Sequence, residues 1–282
     1  MTATAATLAS GKRHKDENFP VASVLLKAEH RAPIMAFYRF ARVADDFADN
    51  ATVDAGERLA VLAGMRATLA GTSEASPEAR ALRKTMDAHG LSPRHGFDLL
   101  TAFERDCRVS RCRDWADLID YCRYSAMPVG RYVLDVHGES QECWAASDAL
   151  CAALQVINHL QDCGKDYRAM DRVYVPLDAL AQHGATVADI GRAVATPQLR
   201  SVIVALAERT DGLLAQSAGF ASKIRDRRLA VEVAIIHRLA VSLNERLKMH
   251  DPLSERVHHS KPEALGLAVM AVLAQIVGRR TA

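Results

Sequence analysis

Residues 155–166 read Q-V-I-N-H-L-Q-D-C-G-K-D, a stretch in which four polar side chains recur at helical spacing. These four are Gln155, Asn158, Asp162 and Asp166. Steps of three, four and four residues place them along one edge of an α-helix. Val156, Leu160 and Cys163 form an apolar line on another side of the same helix. The stretch therefore predicts a helix with one polar edge.

A second stretch near the start of the chain, residues 38–49, has the same design and reads Y-R-F-A-R-V-A-D-D-F-A-D. Its polar edge consists of Tyr38, Arg42, Asp45 and Asp49. Asp46 stands beside that edge, and apolar residues fill most other positions. Because the two stretches are far apart in the chain, we expect their polar edges to face each other across the central cavity of a helical bundle.

Both stretches contain paired aspartates one helical turn apart, Asp45 with Asp49 and Asp162 with Asp166. Each like-charged pair weakens a helix by about 0.2–0.5 kcal/mol unless a cation offsets the repulsion. Carboxylates are hard oxygen ligands that suit magnesium, which commonly bridges to substrate phosphates. The alternative is a solvated helix face that carries acids by chance. Two such pairs, each beside side chains able to bind phosphate, favour a site for several Mg²⁺ ions.

The composition is that of a globular protein with ample core material. Of the 282 residues, 49% are hydrophobic and 25% are charged. The formal net charge of +2 is too small to indicate nucleic acid binding, and no nucleic-acid-binding motif is present. Six cysteines without a C-x-x-C pair, and no signal peptide, indicate reduced thiols and a cytoplasmic protein. The sequence contains no apolar run of about 18 residues that would predict a transmembrane helix.

Proline, glycine and capping residues mark helix ends along the chain and predict an all-α fold. Ser76, Pro77 and Gly90 supply the cap, the first residue and the terminator of a helix that ends at His89. The other predicted helices are 33–49, 93–107, 115–137, 145–167, 176–183, 187–194, 197–224, 226–250 and one beginning near 261, with a loop at 168–174. Strand-like alternation is essentially absent. We predict a single domain over residues 1–282 with a flexible N-terminus at residues 1–15.

Two facing carboxylate pairs with bridging magnesium would form a clamp for a diphosphate group. Neutralising the diphosphate lets a carbon–oxygen bond ionise, and an apolar cavity protects the resulting carbocation from water. This chemistry needs no activated nucleophile. Ser125 and Ser147 lack the G-x-S-x-G context, and Cys122 has no evident base partner. His159 and His237 lie on mostly apolar helices, where we expect core packing or a hydrogen bond.

Four motifs in the sequence resemble those of the squalene/phytoene synthase family. They are F-Y-R-F-A-R-V-A-D-D-F-A-D at 37–49, Y-C-R-Y-S-A-M-P-V-G at 121–130, L-Q-V-I-N-H-L-Q-D-C-G-K-D at 154–166 and D-R-V-Y-V-P at 171–176. Their order and spacing cover most of the chain, from about Asn18 to the last long helices. The two D-x-x-x-D motifs are strongly diagnostic together.

The resemblance implies an isoprenoid-synthase helical bundle that binds a prenyl diphosphate in a deep central cavity. The implied magnesium ligands are Asp45, Asp49, Asp162 and Asp166, with Asn158 assisting and Asp46 as a further candidate. These four aspartates and Arg42 would be the catalytic residues. Arg42, Gln155 and Tyr174 would contact the diphosphate, and Tyr38 would line the site.

Four further residues are candidates for substrate contact. Asn18 stands where a phosphate-binding serine is usual in the family, and Arg123 replaces a tyrosine of the family motif. Phe19 and Tyr124 are aromatic candidates for the wall around the cation. The alternatives are ordinary core packing for the aromatic residues and a surface charge for Arg123.

Within the family, the sequence is most similar to the bacterial group that converts presqualene diphosphate into hydroxysqualene for hopanoid biosynthesis. Residues 17–23, 125–131 and 157–162 carry this narrower resemblance. It implies ionisation, rearrangement and capture by water, with release of diphosphate and no use of a nicotinamide. Members that condense two allylic diphosphates typically have R-D where this chain has Gln161 and Asp162, so one cationic diphosphate contact is missing.

Two other functions stay open at this point. One is condensation of two farnesyl or geranylgeranyl diphosphates to presqualene diphosphate, squalene or phytoene. The other is a non-catalytic assembly factor or lipid-binding scaffold of the same fold. A long hydrocarbon substrate also suggests transient contact with the inner surface of the membrane and hand-over with other squalene-pathway enzymes. Residues 223–228 and 279–280 are the candidate membrane contacts, with solvated helix ends as the alternative.

Overall fold

The computed structural model describes residues 27–278, which form helices joined by loops. In chain order the helices are α1 (Ala28–Ala48), α2 (Ala55–Leu69), α3 (Pro77–His89), α4 (Arg94–Asp106), α5 (Trp115–Ser125), α6 (Met127–Val136), α7 (Trp144–Met170), α8 (Leu177–Gln182), α9 (Val187–Ile190), α10 (Pro197–Ser217), α11 (Phe220–Lys223), α12 (Arg227–Met249) and α13 (Lys261–Gly278). Within this described part, the β structure is limited to an isolated bridge between Arg111 and Val173. The all-α prediction is therefore confirmed.

The described residues divide into two compact units. Unit 1 contains residues 27–109 and 128–139, and unit 2 contains residues 110–127 and 140–278. The single domain over residues 1–282 stays a prediction. The predicted flexible N-terminus, residues 1–15, lies outside the described residues.

The long helix predicted from 115 to 137 is wrong, because the structure contains two helices there, α5 and α6. The break comes after Ser125, where Ala126 has φ −119° and ψ −46°. Pro128 explains it, since proline has no N–H to bond to the carbonyl of Tyr124 and its ring disfavours helical geometry at the preceding residue. Pro128 instead occupies the first turn of α6, where no such N–H is needed.

Other predicted boundaries also differ from the structure. α1 begins at Ala28, so Pro33 lies inside the helix, where its carbonyl accepts a hydrogen bond from Tyr132 Oη at 3.2 Å. The predicted helix 197–224 is divided at Gly219 into α10 and α11. α9 ends at Ile190 rather than at 194. By contrast, the ends predicted for α3 are confirmed, including a left-handed glycine with φ 64° at its C-terminus.

Unit 1 is built around the buried face of α1. This face packs against α2, α3 and α4, and the ring of Phe37 stacks on Tyr132 with centroids 4.0 Å apart. The buried core residues of these helices include Phe40, Ala44, Leu62, Met65, Leu82, Met86, Leu99 and Leu100. Gly96 allows α4 to approach α2 closely, since a Cβ there would lie 2.8 Å from Leu69 Cδ2. This packing leaves the polar edge of α1 on another side of the helix.

Unit 2 is built around α7, a helix of 27 residues. It packs against α5, α10 and α12. Much of its buried surface consists of small residues, among them Ala149, Ala152 and Ala153, which let neighbouring helices approach closely. Because the apolar side of α7 is packed against these helices, the rotation of α7 about its axis, and with it the direction of its polar edge, is determined.

The last helix of unit 2, α13, packs on α12. Its N-terminus is capped as predicted, because Glu263 Oε2 accepts hydrogen bonds from the backbone N–H and the hydroxyl of Ser260, each at 2.8 Å. Among residues 27–278, no helix has both the length and the apolar character needed to cross a bilayer.

Candidate active site

The C-terminal end of α1 brings one arginine and three aspartates together. Arg42 donates from Nη2 to Asp46 at 2.7 Å, and its Nη1 lies 3.6 Å from Asp45 Oδ2. Asp49 is the C-cap residue, one turn beyond Asp45. Tyr38 precedes Arg42 by one turn and is half-buried. Because a helix C-terminus carries partial negative charge, acids there are unfavourable without a nearby cation.

The acidic cluster shifts the protonation of Asp45. The pKa of Asp45 is raised from 3.8 to about 7. The largest cause is that the surrounding protein removes water from its carboxyl group, and the second is the negative charge of Asp49. Arg42 opposes this rise and Asp46 adds to it. The carboxyl is crowded by protein although 39% of its side chain stays exposed. The positive charge of Arg42 thus compensates only part of the negative charge around Asp45. Carboxylate oxygens are ligands that Mg²⁺ prefers, so this end of α1 fits a magnesium ion.

The polar edge of α7 carries the second predicted set. Gln155, Asn158, Asp162 and Asp166 are all half-buried. Lys165 Nζ lies 3.9 Å from Asp162 Oδ1, a long contact that neutralises little charge because the Lys165 side chain is 57% exposed and that of Asp162 is 45% exposed. Behind this edge, Gly164 permits close packing, since a Cβ there would lie 2.6 Å from Leu253 Cδ2 and 3.3 Å from the carbonyl oxygen of Ile190. The amide and carboxylate oxygens of this edge also fit magnesium.

A buried histidine links two of the predicted diphosphate contacts in unit 2. His159 Nε2 lies 3.0 Å from Gln155 Nε2, and its ring stacks on Tyr174 with centroids 3.7 Å apart. Tyr174 Oη lies 3.1 Å from Tyr121 Oη. Burial, and then the charge of Arg172, lower the pKa of His159 to about 3, so its ring is neutral at physiological pH. The expected packing and hydrogen bond of His159 are therefore confirmed, and both orient site candidates.

The backbone that carries Tyr174 is held by the segment before α5. α7 continues to Met170, beyond its predicted end at 167, and Asp171 ends it with φ 51°. Arg111 Nη2 donates to Asp171 Oδ1 at 2.6 Å, and the N–H of Val173 donates to the carbonyl of Ser110 at 2.8 Å. No local pattern predicts this role of Arg111, because its partner lies 60 positions away.

Gln161 does not belong to the polar edge of α7. Its side chain is buried, and its amide nitrogen donates to the carbonyl oxygen of Val257. Gln161 therefore ties α7 to the loop between α12 and α13. This is the position at which the condensing members of the family typically carry arginine. Whether a diphosphate contact is lost with that arginine stays a prediction.

The other predicted substrate contacts are distributed more widely. Arg123 is on the outer side of α5, with 62% of its side chain exposed and its Nη1 3.4 Å from Asp120. Tyr124 is half-buried on the same helix. Asn18 and Phe19 lie outside the described residues. The structure thus gathers Gln155 and Tyr174 around His159, and it does not bring Arg123 to that cluster.

Comparisons with known proteins agree with the motifs. The family model described as squalene/phytoene synthase matches residues 12–263. A hydroxysqualene synthase from Zymomonas mobilis is 57% identical over 96% of this chain and 92% of that protein. A hydroxysqualene synthase from Rhodopseudomonas palustris is 49% identical over 98% of this chain and 94% of that protein.

The fold agrees as well. The crystal structure of squalene synthase HpnC from Alicyclobacillus acidocaldarius superposes with a TM-score of 0.73 at 33% identity, covering 87% of this chain and 92% of that chain. The resemblance read from the motifs and the isoprenoid-synthase fold are thereby confirmed. With its family model, near full-length relatives and fold in agreement, the chain belongs to the squalene/phytoene synthase family.

Proposed function

We propose that this enzyme converts presqualene diphosphate and water into hydroxysqualene and inorganic diphosphate. The observation that carries the proposal is the near full-length similarity, at 57% and 49% identity, to two proteins named hydroxysqualene synthase. In the proposed reaction the carbon–oxygen bond breaks and its electron pair leaves with the diphosphate. The cyclopropylcarbinyl cation rearranges, and the oxygen of water then bonds to carbon and releases a proton. No nicotinamide is required because no electrons enter the substrate.

Both polar edges supply groups for this reaction. Bound magnesium would neutralise the charge that develops on the departing diphosphate. We assign its ligands to Asp45, Asp49, Asp162 and Asp166, with Asn158 and Asp46 as assisting oxygen donors. The high pKa of Asp45 supports this assignment, because it marks a carboxyl whose negative charge Arg42 offsets only in part. The four carboxylates and the amide oxygen are also the hard donors that magnesium takes.

The remaining polar groups, Arg42, Gln155 and Tyr174, are proposed to hold the diphosphate. Arg42 brings positive charge beside the α1 aspartates, and Gln155 and Tyr174 bring neutral donors on unit 2. Tyr174 is held by stacking on His159 and by the hydroxyl of Tyr121. Groups fixed before substrate binds lose little entropy on binding, which favours catalysis.

Product analysis tests the proposal directly. Purified protein is incubated with Mg²⁺ and either presqualene diphosphate or farnesyl diphosphate, in water enriched in ¹⁸O. We expect hydroxysqualene carrying ¹⁸O, with inorganic diphosphate, from presqualene diphosphate only. Conversion of farnesyl diphosphate into a C30 product, or hydroxysqualene without the label, would contradict the proposal.

Variants connect the reaction to the acidic clusters. Asp45→Asn and Asp166→Asn should each lower turnover at least about 100-fold, since each removes a charged ligand near the leaving group. Asp98→Asn, which alters a partly exposed carboxylate of α4 that pairs with Arg94, is the matched control and should retain turnover.

The runner-up function is condensation of two farnesyl or geranylgeranyl diphosphates. Its support is the similarity to the Alicyclobacillus protein named squalene synthase, at 33% identity. That identity is well below the 57% and 49% of the relatives named for the hydroxylated product, so condensation is the weaker candidate. The incubation with farnesyl diphosphate decides between them.

We also propose that the enzyme works in the cytoplasm, meets the inner face of the membrane transiently and exchanges intermediates with other squalene-pathway enzymes. The support is chemical, because both the proposed substrate and the proposed product carry long hydrocarbon chains that partition into bilayers. Co-sedimentation of the full chain with vesicles, with and without presqualene diphosphate, tests the membrane contact.

A further inference from the structure

The outer side of α13 is exposed and apolar along its described length. Leu265 is 67% exposed, Val269 50%, Met270 47% and Leu273 57%. Between Ala264 and Gly278 the sequence contains no charged residue. On the opposite side, Ala271 is buried. We call the four exposed residues the apolar stripe of α13.

Such a stripe is unusual for a helix that faces water on its outer side. Surface helices normally place polar residues outward, and contiguous exposed apolar surface marks interaction sites. The charges of α13 are confined to its first turn, where Arg246 Nη2 lies 2.7 Å from Glu263 Oε1. The stripe therefore has the composition of a contact surface.

A basic segment lies at the opposite end of this helix. α12 and α13 are antiparallel, because the contact between Arg246 and Glu263 joins the end of α12 to the start of α13. At the other end, Ala221 and Ala274 line one cleft of about 170 Å³. Residues 223–228, which follow Ala221, expose four cationic side chains near the C-terminal end of α13: Lys223, Arg225, Arg227 and Arg228.

We propose that the apolar stripe of α13 and the basic segment 223–228 together dock the enzyme on an anionic bilayer surface. The choice of a bilayer rests on the proposed function, which gives the enzyme a hydrocarbon substrate and a hydrocarbon product. Charge complementarity favours an anionic surface over a second copy of this chain, which would present the same positive segment. The helix of 18 residues, about 27 Å long, lies in the interface plane, since its inner side stays packed on α12.

Vesicle binding of the full chain tests the proposal. The probes are vesicles of equimolar phosphatidylcholine and phosphatidylglycerol, and vesicles of phosphatidylcholine alone. We expect binding to the anionic vesicles and much weaker binding to the neutral ones. Replacing Leu265, Val269 and Leu273 together by Ser should weaken anionic binding at least about tenfold, because each side chain loses apolar burial.

Removing cationic side chains from the basic segment should weaken binding to the anionic vesicles and leave the weak binding to neutral vesicles unchanged. One cation near such a surface changes affinity roughly fivefold, so replacing Lys223, Arg227 and Arg228 together by Gln should weaken binding about 100-fold. Two controls match these changes. Val194→Ser alters an apolar side chain of unit 2 that is 60% exposed, and a triple replacement by Gln removes three exposed cations of unit 1. Those three are Lys84, Arg94 and Arg108.

The outcomes separate this proposal from the proposed function. Binding by the controls and loss of binding by both triple variants, with unchanged melting temperature and unchanged turnover of detergent-dispersed presqualene diphosphate, supports docking. Absence of vesicle binding by the parent chain, or binding that persists in both triple variants, overturns it. So does a parent dimer that becomes monomeric in the Ser variant without any vesicle binding. A parent chain that binds vesicles through the stripe yet turns over no presqualene diphosphate contradicts the proposed function alone.

Discussion

Asp45 gives the sharpest test of the electrostatic reasoning, because its pKa makes stability depend on pH with a predictable sign. The folded chain holds a proton on Asp45 up to about pH 7, whereas the ordinary value is 3.8. Between these two values the folded state binds more protons than the unfolded chain. Stability therefore falls as the pH rises from about 4 to 7, and the full cost persists above pH 7.

The size of this cost follows from the pKa and the exposure of Asp45. A rise from 3.8 to about 7 is roughly three powers of ten in proton affinity, with an upper limit of about 4 kcal/mol. Because 39% of the side chain is exposed, solvent screens the interaction, and we expect about 1–2 kcal/mol. Asp45→Asn removes this cost. Its melting temperature above pH 7, without metal, should exceed that of the parent chain by roughly 2–4 °C.

The assay is thermal melting of both proteins from pH 5 to pH 8, in a chelator and then in excess MgCl₂. In the chelator the difference between the two melting temperatures should be smallest at pH 5 and should widen as the pH rises to 7. Magnesium should raise the melting temperature of the parent chain most above pH 7, where it no longer competes with a proton, and should raise that of the variant much less.

Asp189→Asn is a control whose expected effect on stability is opposite to that of Asp45→Asn. It tests whether removing any acidic side chain has the same effect. Hydrogen bonds from the side chain and the backbone of Thr186 lower the pKa of Asp189, so Asp189→Asn should destabilise the chain above about pH 4. The reasoning is refuted if Asp45→Asn melts below the parent chain at pH 8 in the chelator. It is also refuted if magnesium stabilises the variant as much as the parent.

Three other substitutions test the surroundings of the α7 edge. Gly164→Ala should destabilise the chain by about 1–3 kcal/mol, because its Cβ would meet Leu253, whereas Gly212→Ala, with open space around it, should be neutral or stabilising in the same melting assay. Tyr121→Phe removes the hydroxyl contact with Tyr174 and should cost about 1 kcal/mol on melting, with a larger proportional loss in kcat than in KM. The parent chain should lose stability as the pH falls from 6.5 to about 3, since folding keeps His159 neutral, and His159→Leu should remove that part of the acid sensitivity in pH-dependent melting.

The two polar edges could be predicted from the sequence because they depend on the helical period alone. Residues separated by three or four positions share an edge in any helix, whatever packs around it. The same holds for the ends of α3, where Ser76 and Gly90 act within one turn of the chain. Both predictions needed no knowledge of distant contacts.

The features that were predicted wrongly or were missed depend on more than the helical period. The break at Pro128 could be read from proline chemistry, yet the helix 115–137 was predicted from the cap at Asp114 and the stop at Gly138 alone. The contact of Arg111 with Asp171 joins residues 60 positions apart, and the bond of Gln161 to Val257 joins residues 96 positions apart. No local pattern specifies which distant partner a polar side chain meets.

Gln161 shows why a motif difference does not translate directly into a missing function. A comparison of motifs reads the residue as the loss of a cationic contact with diphosphate. In the fold its side chain is buried and holds the carbonyl of Val257, so the glutamine makes a structural bond at that position. An arginine directed the same way would bury a guanidinium group, which is costly without a charged partner. Gln161 therefore fastens α7 to the loop before α13, and the loss of a diphosphate contact at this position stays a prediction.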